Sequence, residues 1–488
     1  MTNEIITPIN RILKFGSHQV SPLIYIVATV VLVAAFFIGF TFKIELYIFL
    51  ALLALPLLWA MFFYPKVWIY CIVLTFPMFF IKDEPGITVT SLMGALFYNL
   101  FLICWFFYKI FLEKNNNNSN KKNSIVKHKT DVLILLFYGL VLLNAGVAVF
   151  NGVEPFDWLS EFLLFSLLLY YFPIREYFND EKSIVMLLAI FFISIFVLDI
   201  QQFLSYTKKI SAAAFAYQLR GGGHFNHQIF SAAVIGGVVF MFYSRTITGK
   251  FFAFVLTVFS TAAIVSTFAR AFWGALLIVL FLLLFFLNRK QIAQYFGIVI
   301  LTTGIIVSTI YIVFPKQANL MTKFVINKFS TSTQGKADLS VRTRLYEYRA
   351  VIQKIEESPI AGQGLRKEFS FHCPWRQFTM KTSFIHNGYL SLSYRVGIPI
   401  AALFYFVMII FTLKGFITAW KLRRIQKRCR PPTVMNIYIG LAICGTLSLC
   451  MLFITNFVTQ SFLFRDGLFV VAFSIAFIEI ANRKMENG

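Results

Sequence analysis

The chain has 488 residues, of which 59% are hydrophobic, 18% are aromatic and only 13% are charged. Soluble domains contain about 25% charged residues, so this composition excludes an ordinary soluble protein and indicates an integral membrane protein. The net charge of +23 does not require nucleic acid as a partner, because the cytoplasmic loops of membrane proteins collect lysine and arginine.

Fourteen apolar runs are long enough to cross a bilayer, whose hydrocarbon core is about 30 Å thick. The first lies near 21–41, the second near 44–63 and the last near 461–482, and the run near 387–413 follows a long polar segment. One short run contains Pro77, so the sequence predicts about 12 to 14 transmembrane helices. The expected fold is all-α, a polytopic membrane protein with a single membrane domain over 1–488.

Basic residues divide the loops between these runs into two faces. One face carries 23 Lys and Arg residues, whereas the short loops of the other face carry seven. The first face is predicted to be cytoplasmic, together with both termini, because the number of spans is even. The polar, asparagine-rich segment 113–130 is predicted to be a flexible cytoplasmic linker. The polar segment 315–386 is predicted to be a large extracytoplasmic loop.

The 315–386 loop carries more polar chemistry than any other part of the sequence. Its 12 Lys and Arg residues outnumber its five Asp and Glu residues. Long loops cross the membrane regardless of charge, so an anionic ligand is the better explanation of this surplus. Apolar side chains at helical spacing predict a helix with an apolar stripe, formed by Val341, Leu345, Tyr348, Ile352 and Ile355. Pro359 is expected to end this helix, and Gly362 and Gly364 permit a tight turn.

His386 lies where the polar loop meets the next apolar run, directly before Asn387. A histidine at this position can meet both water and a lipid-borne substrate. A neutral imidazole there is suited to act as a general base toward a sugar hydroxyl. The alternative is an interfacial histidine whose hydrogen bonds are simply satisfied by the protein.

Two arginines lie close to apolar runs. Arg270 stands at the junction of two such runs, where it either snorkels to the interface or presents a fixed guanidinium to phosphate oxygens. Arg395 lies nine residues after His386, inside an apolar run. Charges within the membrane are candidates for function by default, and Asp199 and Glu161 fall under the same rule.

The stretch Arg220-Gly-Gly-Gly-His224-Phe-Asn-His227-Gln228 opens another apolar run from the predicted outer face. Its glycines either form only a loop or expose backbone N–H groups that favour anions. Its histidines lack a carboxylate or cysteine partner, and the six cysteines of the chain form no Cys-x-x-Cys pair. We therefore predict no metal site and no cofactor.

Short motifs follow one another in a fixed order between 220 and 460. They are F-N-H-Q-I-F-S-A (225–232), T-F-A-R-A-F-W-G-A-L (267–276), S-V-R-T-R-L-Y-E-Y-R-A (340–350), P-I-A-G-Q-G-L (359–365) and His386-Asn387 followed by Gly397. This region resembles the O-antigen ligase and polymerase superfamily of bacterial membrane glycosyltransferases. Tyr346 stands where the family usually has tryptophan, and Ile400 stands where the strict ligase pattern has its last glycine.

The resemblance implies an integral membrane fold of the lipid-dependent glycosyltransferase type in the bacterial cytoplasmic membrane. The donor would be a glycan on polyprenyl pyrophosphate, such as undecaprenyl pyrophosphate, presented on the outer face, and catalysis would be independent of metal. His386 would be catalytic and would activate or position the glycan acceptor. The donor or glycan would be bound by the remaining candidates: Arg270, Arg342, Arg220, Arg395, His224, His227, Gln228 and Asn387.

Three functions stay open at this point. A polysaccharide polymerase is favoured, with a teichuronic acid polymerase of Gram-positive cell walls as one candidate. The first alternative is an O-antigen ligase that transfers the glycan to a lipid A-core acceptor. The second is a polysaccharide flippase or transporter, but such proteins often contain a repeat between halves, and this sequence has none. The predicted partners are the lipid-linked glycan, its acceptor and membrane lipid.

Overall fold

The computed structural model describes residues 65–79, 89–112, 125–212, 226–313, 339–374, 377–428 and 435–486, with a few isolated residues between 315 and 326. The chain divides into two compact units, Met1–Pro65 and Lys66–Gly488, and the elements from Lys66 onward belong to the second. The predicted spans near 21–41 and 44–63, most of the linker, Arg220 and His224 lie outside the described residues. The single membrane domain over 1–488 stays a prediction.

Helices form almost all of the described chain. In order they are α1 (Pro65–Phe79), α2 (Val89–Phe107), α3 (Lys129–Phe150), α4 (Pro155–Phe165), α5 (Tyr171–Tyr177), α6 (Glu181–Ala212), α7 (His227–Tyr243), α8 (Ile247–Ser266), α9 (Arg270–Leu283), α10 (Arg289–Val313), α11 (Leu339–Glu357), α12 (Gly388–Val396), α13 (Ile398–Arg428), α14 (Met435–Thr455) and α15 (Arg465–Glu486). Two strands, β1 (Phe369–Cys373) and β2 (Phe378–Thr382), lie between α11 and α12.

Seven of the described helices are long and apolar enough to cross a membrane. They are α3, the continuous segment Pro155–Tyr177, α6, α8, α10, α13 and α14. Four shorter apolar helices accompany them in the described chain: Pro65–Phe76 within α1, Ala95–Phe111, His227–Tyr243 (α7) and Arg270–Phe286. The prediction of an all-α polytopic membrane protein is confirmed.

The centre of the bundle is formed by α7, α14 and α15. Nearly every side chain of α7 is buried, and α15 is buried continuously from Asp466 to Asn482. Around these three helices pack α8, α9 and α13, among others. By contrast α10 is largely exposed and apolar, as a helix that contacts lipid should be. A helix that is apolar on all sides is either buried or surrounded by lipid, and both cases occur here.

The segment between α11 and α13 differs from the predicted single span over 387–413. A two-stranded antiparallel sheet precedes it, with Phe369 paired to Thr382 and Cys373 paired to Phe378. The chain then forms the short helix α12 and breaks at Gly397, whose φ is +86°, before α13 begins. Hydropathy did not reveal the break, because the residues on both sides of Gly397 are apolar enough to continue one run.

The helix predicted within the large loop exists as α11, but its buried face overlaps the predicted apolar stripe only in part. Glu347, Val351 and Ile355 are buried. They follow one another at intervals of four residues, so they lie on one face of the helix. Of the predicted stripe, Ile355 is buried and Tyr348 is half-buried, whereas Val341, Leu345 and Ile352 are exposed. The stripe therefore predicts only one edge of the buried face, because the buried carboxylate Glu347 lies where the apolar pattern places a polar position.

Candidate active site

A small hydrophobic core fixes α11 against the sheet and α12. Val351 and Ile355 of α11 pack with side chains from β1, with Ile385 and with Tyr394 of α12. Every residue of this core is less than a tenth exposed. Because Glu347 lies one helical turn before Val351 and His386 directly follows Ile385, the core brings these two residues together.

Glu347 binds His386 at two points. The backbone N–H of His386 donates to Glu347 Oε1 at 2.5 Å, and His386 Nδ1 lies 2.7 Å from Glu347 Oε2. The Glu347 side chain is 2% exposed, whereas the His386 side chain is 37% exposed. The carboxylate is therefore enclosed while part of the imidazole stays open to solvent.

The residues that follow His386 are held by helix capping and by a close backbone approach. The side chain of Asn387 caps α12 and accepts hydrogen bonds from the N–H groups of Tyr389 and Leu390. Capping of this kind typically stabilises a helix by about 1 kcal/mol. The Gly388 N–H donates to Asn456 O at 2.8 Å, and a Cβ at Gly388 would lie only 1.9 Å from the Asn456 side chain. Two residues of the His386-Asn387-Gly388 sequence therefore have structural roles. Asn387 caps α12, and Gly388 leaves room for the Asn456 side chain.

The P-I-A-G-Q-G-L turn packs against the break between α12 and α13. The Gln363 and Gly364 N–H groups donate to the carbonyls of Tyr394 and Arg395, and the Ile398 N–H donates to Pro359 O. A Cβ at Gly362 would lie 2.6 Å from Arg395 O, and φ at Gly362 is +73°. These bonds link the end of α11 to the segment that carries His386, so this glycine motif positions the site.

The guanidinium of Arg395 is surrounded by protein groups. Its Nη1 pairs with Glu161 of α4, and its Nη2 donates to Ser383 O at 3.1 Å and to Gln460 Oε1 at 3.2 Å. The side chains of Arg395 and Glu161 are 6% and 11% exposed. Arg395 therefore ties α12 to α4 and to the strand exit three residues before His386.

A second polar cluster lies at the beginnings of α7, α9 and α15. The Gln228 N–H donates to Asp466 Oδ2 at 3.1 Å, and the Gln228 side-chain amide can donate to the same buried carboxylate. The ring of His227 packs edge-to-face on Phe272 at 4.7 Å. Because Phe272 lies in the first turn of α9, His227 stands beside the turn that begins with Arg270.

Aromatic contacts link this cluster to His386. The His386 ring packs edge-to-face on Phe384 at 4.9 Å, and Phe384 stacks on Phe464 at 6.0 Å. Phe464 directly precedes Arg465 and Asp466 at the start of α15. The structure thereby gathers His386, Gln228, His227 and the start of α9 at one end of the bundle.

The arginines of α11 differ in their exposure. Arg342 is exposed and lies five residues before Glu347, which places it roughly 140° away around the helix. Arg344 is half-buried and lies three residues before Glu347, on the same side of the helix. Its Nε is buried without a hydrogen-bond partner among the described residues. Burial raises the pKa of the neighbouring Tyr348, and the Arg344 charge partly offsets this effect.

Sequence reasoning missed Glu347, and it gave no role to Arg344. Glu347 was counted only as one of five acids in a basic loop. The only available signal was that Glu347, Val351 and Ile355 follow one another at four-residue steps, since this spacing puts all three on one helix face. Among the residues that the structure describes, no three His, Cys, Asp or Glu side chains lie close enough together to hold a metal ion.

The comparison with protein families agrees with the motifs. Residues 252–405 match the family model described as O-antigen ligase, whereas no curated protein matches the chain. The matched segment includes Arg270, Arg342, Glu347, His386 and Arg395, and His227 and Gln228 precede it. The segment that carries most of this site is therefore similar to the O-antigen ligase family, as the motifs indicate for the O-antigen ligase and polymerase superfamily.

Proposed function

We propose that the protein is a membrane glycosyltransferase that polymerises glycan units carried on polyprenyl pyrophosphate at the outer face of the bacterial cytoplasmic membrane. The observation that carries the proposal is the position of His386 inside the matched segment. Its Nδ1 lies against a buried carboxylate and its ring is 37% exposed. A histidine held in this way can accept a proton from a substrate hydroxyl.

The donor's leaving group is an anionic pyrophosphate. Arg270 and Arg342 are proposed to bind its oxygens, because a guanidinium offers planar paired donors that match phosphate geometry. Arg270 begins α9, so the N-terminal N–H groups of this helix add to the favourable potential for an anion. His227, beside this turn, is proposed to contact the donor or its first sugar, whereas Gln228 is buried against Asp466 and is assigned to holding α7 against α15.

The reaction is a displacement at the anomeric carbon of the donor. His386 Nε2 accepts the proton of the acceptor hydroxyl while its oxygen forms a bond to the anomeric carbon. The bond between that carbon and the pyrophosphate oxygen breaks, and its electron pair leaves with the polyprenyl pyrophosphate. The arginines stabilise the charge that develops on the leaving oxygen, and the imidazolium later releases its proton to water.

The other predicted residues receive different parts in this proposal. Arg395 holds Glu161, Ser383 and Gln460, so we assign it to positioning the His386 segment. Asn387 is assigned to capping α12. Arg220 and His224 lie outside the described residues and stay candidates for donor binding.

The orientation of the site is part of the proposal. A cysteine placed at exposed Lys354 of α11, in a protein without its native cysteines, is expected to react with a membrane-impermeant maleimide in intact cells. A cysteine placed in the basic end of α13, for example at Lys421, is expected to react only after permeabilisation. The reverse pattern would put His386 on the cytoplasmic side and overturn the proposed reaction site.

The runner-up is an O-antigen ligase, favoured by the description of the matching family. Ile400, in the place of the pattern's last glycine, favours the polymerase. The glycolipids of cells that lack the protein separate the two. Accumulation of single lipid-linked repeat units supports the polymerase, whereas accumulation of full-length lipid-linked polymer indicates the ligase. An unchanged glycolipid pool would exclude both functions.

A further inference from the structure

We infer that Glu347 is a positioning residue for His386, which fixes the imidazole as the tautomer with its proton on Nδ1 and leaves Nε2 as the base. This inference rests on the proposed glycosyl transfer and deepens it. Nothing in the sequence motifs gives Glu347 this role. It follows from the two contacts that join the buried carboxylate to a single histidine.

The donors and acceptors at this contact fix which ring nitrogen of His386 carries the proton. The backbone N–H of His386 can only donate, and it lies 2.5 Å from Glu347 Oε1. The second carboxylate oxygen lies 2.7 Å from Nδ1 and, when ionised, can only accept. Nδ1 must therefore carry a hydrogen to complete the pair, and in the neutral ring Nε2 is then the unprotonated nitrogen.

The Glu347 carboxylate is itself held in place by the packing of α11. Glu347 is 2% exposed and lies on the face of α11 that packs, through Val351 and Ile355, into the small core with Ile385. Its position is thus set by the same core that sets His386. A rotation of the ring about its χ angles would remove the Nδ1 bond and leave a buried carboxylate oxygen unsatisfied, which is costly.

Glu347 also stabilises the charge that forms on His386 during proton transfer. When Nε2 takes the proton of the acceptor hydroxyl, the ring becomes an imidazolium beside a carboxylate that is shielded from water. The enclosed negative charge stabilises this positive charge as it forms, and no proton moves to Glu347. In other enzymes where a carboxylate orients a catalytic histidine, the carboxylate likewise stabilises the imidazolium and does not take up the proton.

The variant Glu347→Gln keeps the size of the side chain but offers one acceptor oxygen in place of two. Its carbonyl oxygen can accept from the His386 backbone N–H, but its NH2 group then faces Nδ1 and can only donate, which favours the tautomer with the proton on Nε2. We expect kcat to fall between roughly 10- and 10⁴-fold, the range for orienting partners of histidine elsewhere. KM for the lipid-linked donor and its binding affinity are expected to stay within about twofold, because the arginines bind the pyrophosphate independently. Glu357→Gln, on the exposed side of the same helix, is the matched control and should keep wild-type activity.

A double-mutant cycle separates positioning from a general structural role. If Glu347 acts through His386, adding Glu347→Gln to His386→Ala should produce little further loss of kcat. A purely structural carboxylate would instead give losses that multiply, with a lower unfolding temperature in both backgrounds. Multiplying losses would overturn the inference.

A spectroscopic measurement keeps the inference testable without turnover. In the wild-type protein labelled with ¹⁵N-histidine, the resonances lost in His386→Ala are expected to report a proton on Nδ1 and none on Nε2. In Glu347→Gln those resonances should shift toward the tautomer with its proton on Nε2. An Nε2-protonated ring in the wild type would refute the inference even if His386 is essential. A fully active His386→Ala would instead refute the proposed function.

Discussion

Asp131 and Glu347 are two buried carboxylates that each hold a cationic or titratable partner, and they do so differently. Asp131 of α3 and Arg175 of α5 are 0% and 2% exposed. Asp131 accepts hydrogen bonds from Arg175 Nη1, from the Tyr171 hydroxyl at 2.8 Å and from two backbone N–H groups. Glu347 is enclosed to the same degree, but its partner His386 is 37% exposed.

The difference teaches how burial separates a structural pair from a reactive one. Both side chains of the Asp131 and Arg175 pair are enclosed, and protein donors occupy the acceptor positions of the carboxylate. A ligand therefore cannot contact either side chain. The Glu347 and His386 pair is enclosed on one side only. Removing a member of the first pair should therefore cost stability, while removing the exposed member of the second should cost activity.

The largest expected effect is that of His386→Ala on glycosyl transfer. Loss of a general base typically lowers the rate by about 10²–10⁴-fold. Binding of the lipid-linked donor should be retained, because the proposed phosphate ligands are arginines on other elements. Turnover and donor binding are measured with purified protein. His372→Ala, which removes an exposed histidine of β1, is the control and should remain active.

Two outcomes would contradict the assignment of His386 as the general base. Near wild-type turnover of His386→Ala would reduce the residue to an interfacial histidine. Loss of donor binding instead of turnover would move its role to the phosphate site. The base would then be sought at His227, which lies beside the first turn of α9, or at His224.

The next effect is on stability and tests the enclosed pair. Asp131→Asn leaves Arg175 buried and charged without its counter-ion, and breaking such a pair costs about 3–5 kcal/mol. The variant should unfold at lower temperature or denaturant in detergent, yet its folded fraction should keep the wild-type kcat. Lys354→Ala removes an exposed pair with Glu357 and should change stability by only about 0–1 kcal/mol. An Asp131→Asn protein that is stable but inactive would contradict the structural assignment.

The comparison also shows which properties the sequence could predict. The helix Lys129–Phe150 matches an apolar run read from the sequence, because the length and polarity of a span are local properties. The helix in the loop was found from its periodicity for the same reason. The proline and glycines of 359–364 were correctly assigned to a helix end and a turn.

What the sequence could not predict are the contacts between distant residues. Arg395 and Glu161 are 234 positions apart, and both were noted only as intramembrane charges without a partner. The pairing of Glu347 with His386, 39 positions apart, depends on which face of α11 packs inward. An apolar stripe predicts that face only when the buried face contains no polar residue, and here it contains Glu347.

A smaller effect is expected from changing the proposed phosphate ligands while keeping their charge. Arg270→Lys and Arg342→Lys each lose the paired donors of the guanidinium. The loss of one charge-assisted hydrogen bond is worth about 1.5–3 kcal/mol, or roughly 10- to 100-fold in rate. Arg349→Lys, whose guanidinium lies 5.8 Å from the Tyr346 ring, is the matched control on α11. If Arg344→Lys loses activity while Arg342→Lys does not, the pyrophosphate lies on the Glu347 face of the helix.

The smallest expected effect is that of removing divalent metal. Transfer should proceed unchanged in excess chelator, because Arg270 and Arg342 are proposed to supply the positive charge that a metal ion supplies in other phosphate sites. The carboxylates nearest the site are already engaged, since Glu347 binds His386 and Asp466 binds Gln228. Initial rates of chelator-treated enzyme are compared with and without added magnesium or manganese. Activity lost in chelator and restored by either ion would require a metal bound together with the donor, and it would leave the arginines as secondary ligands of the pyrophosphate.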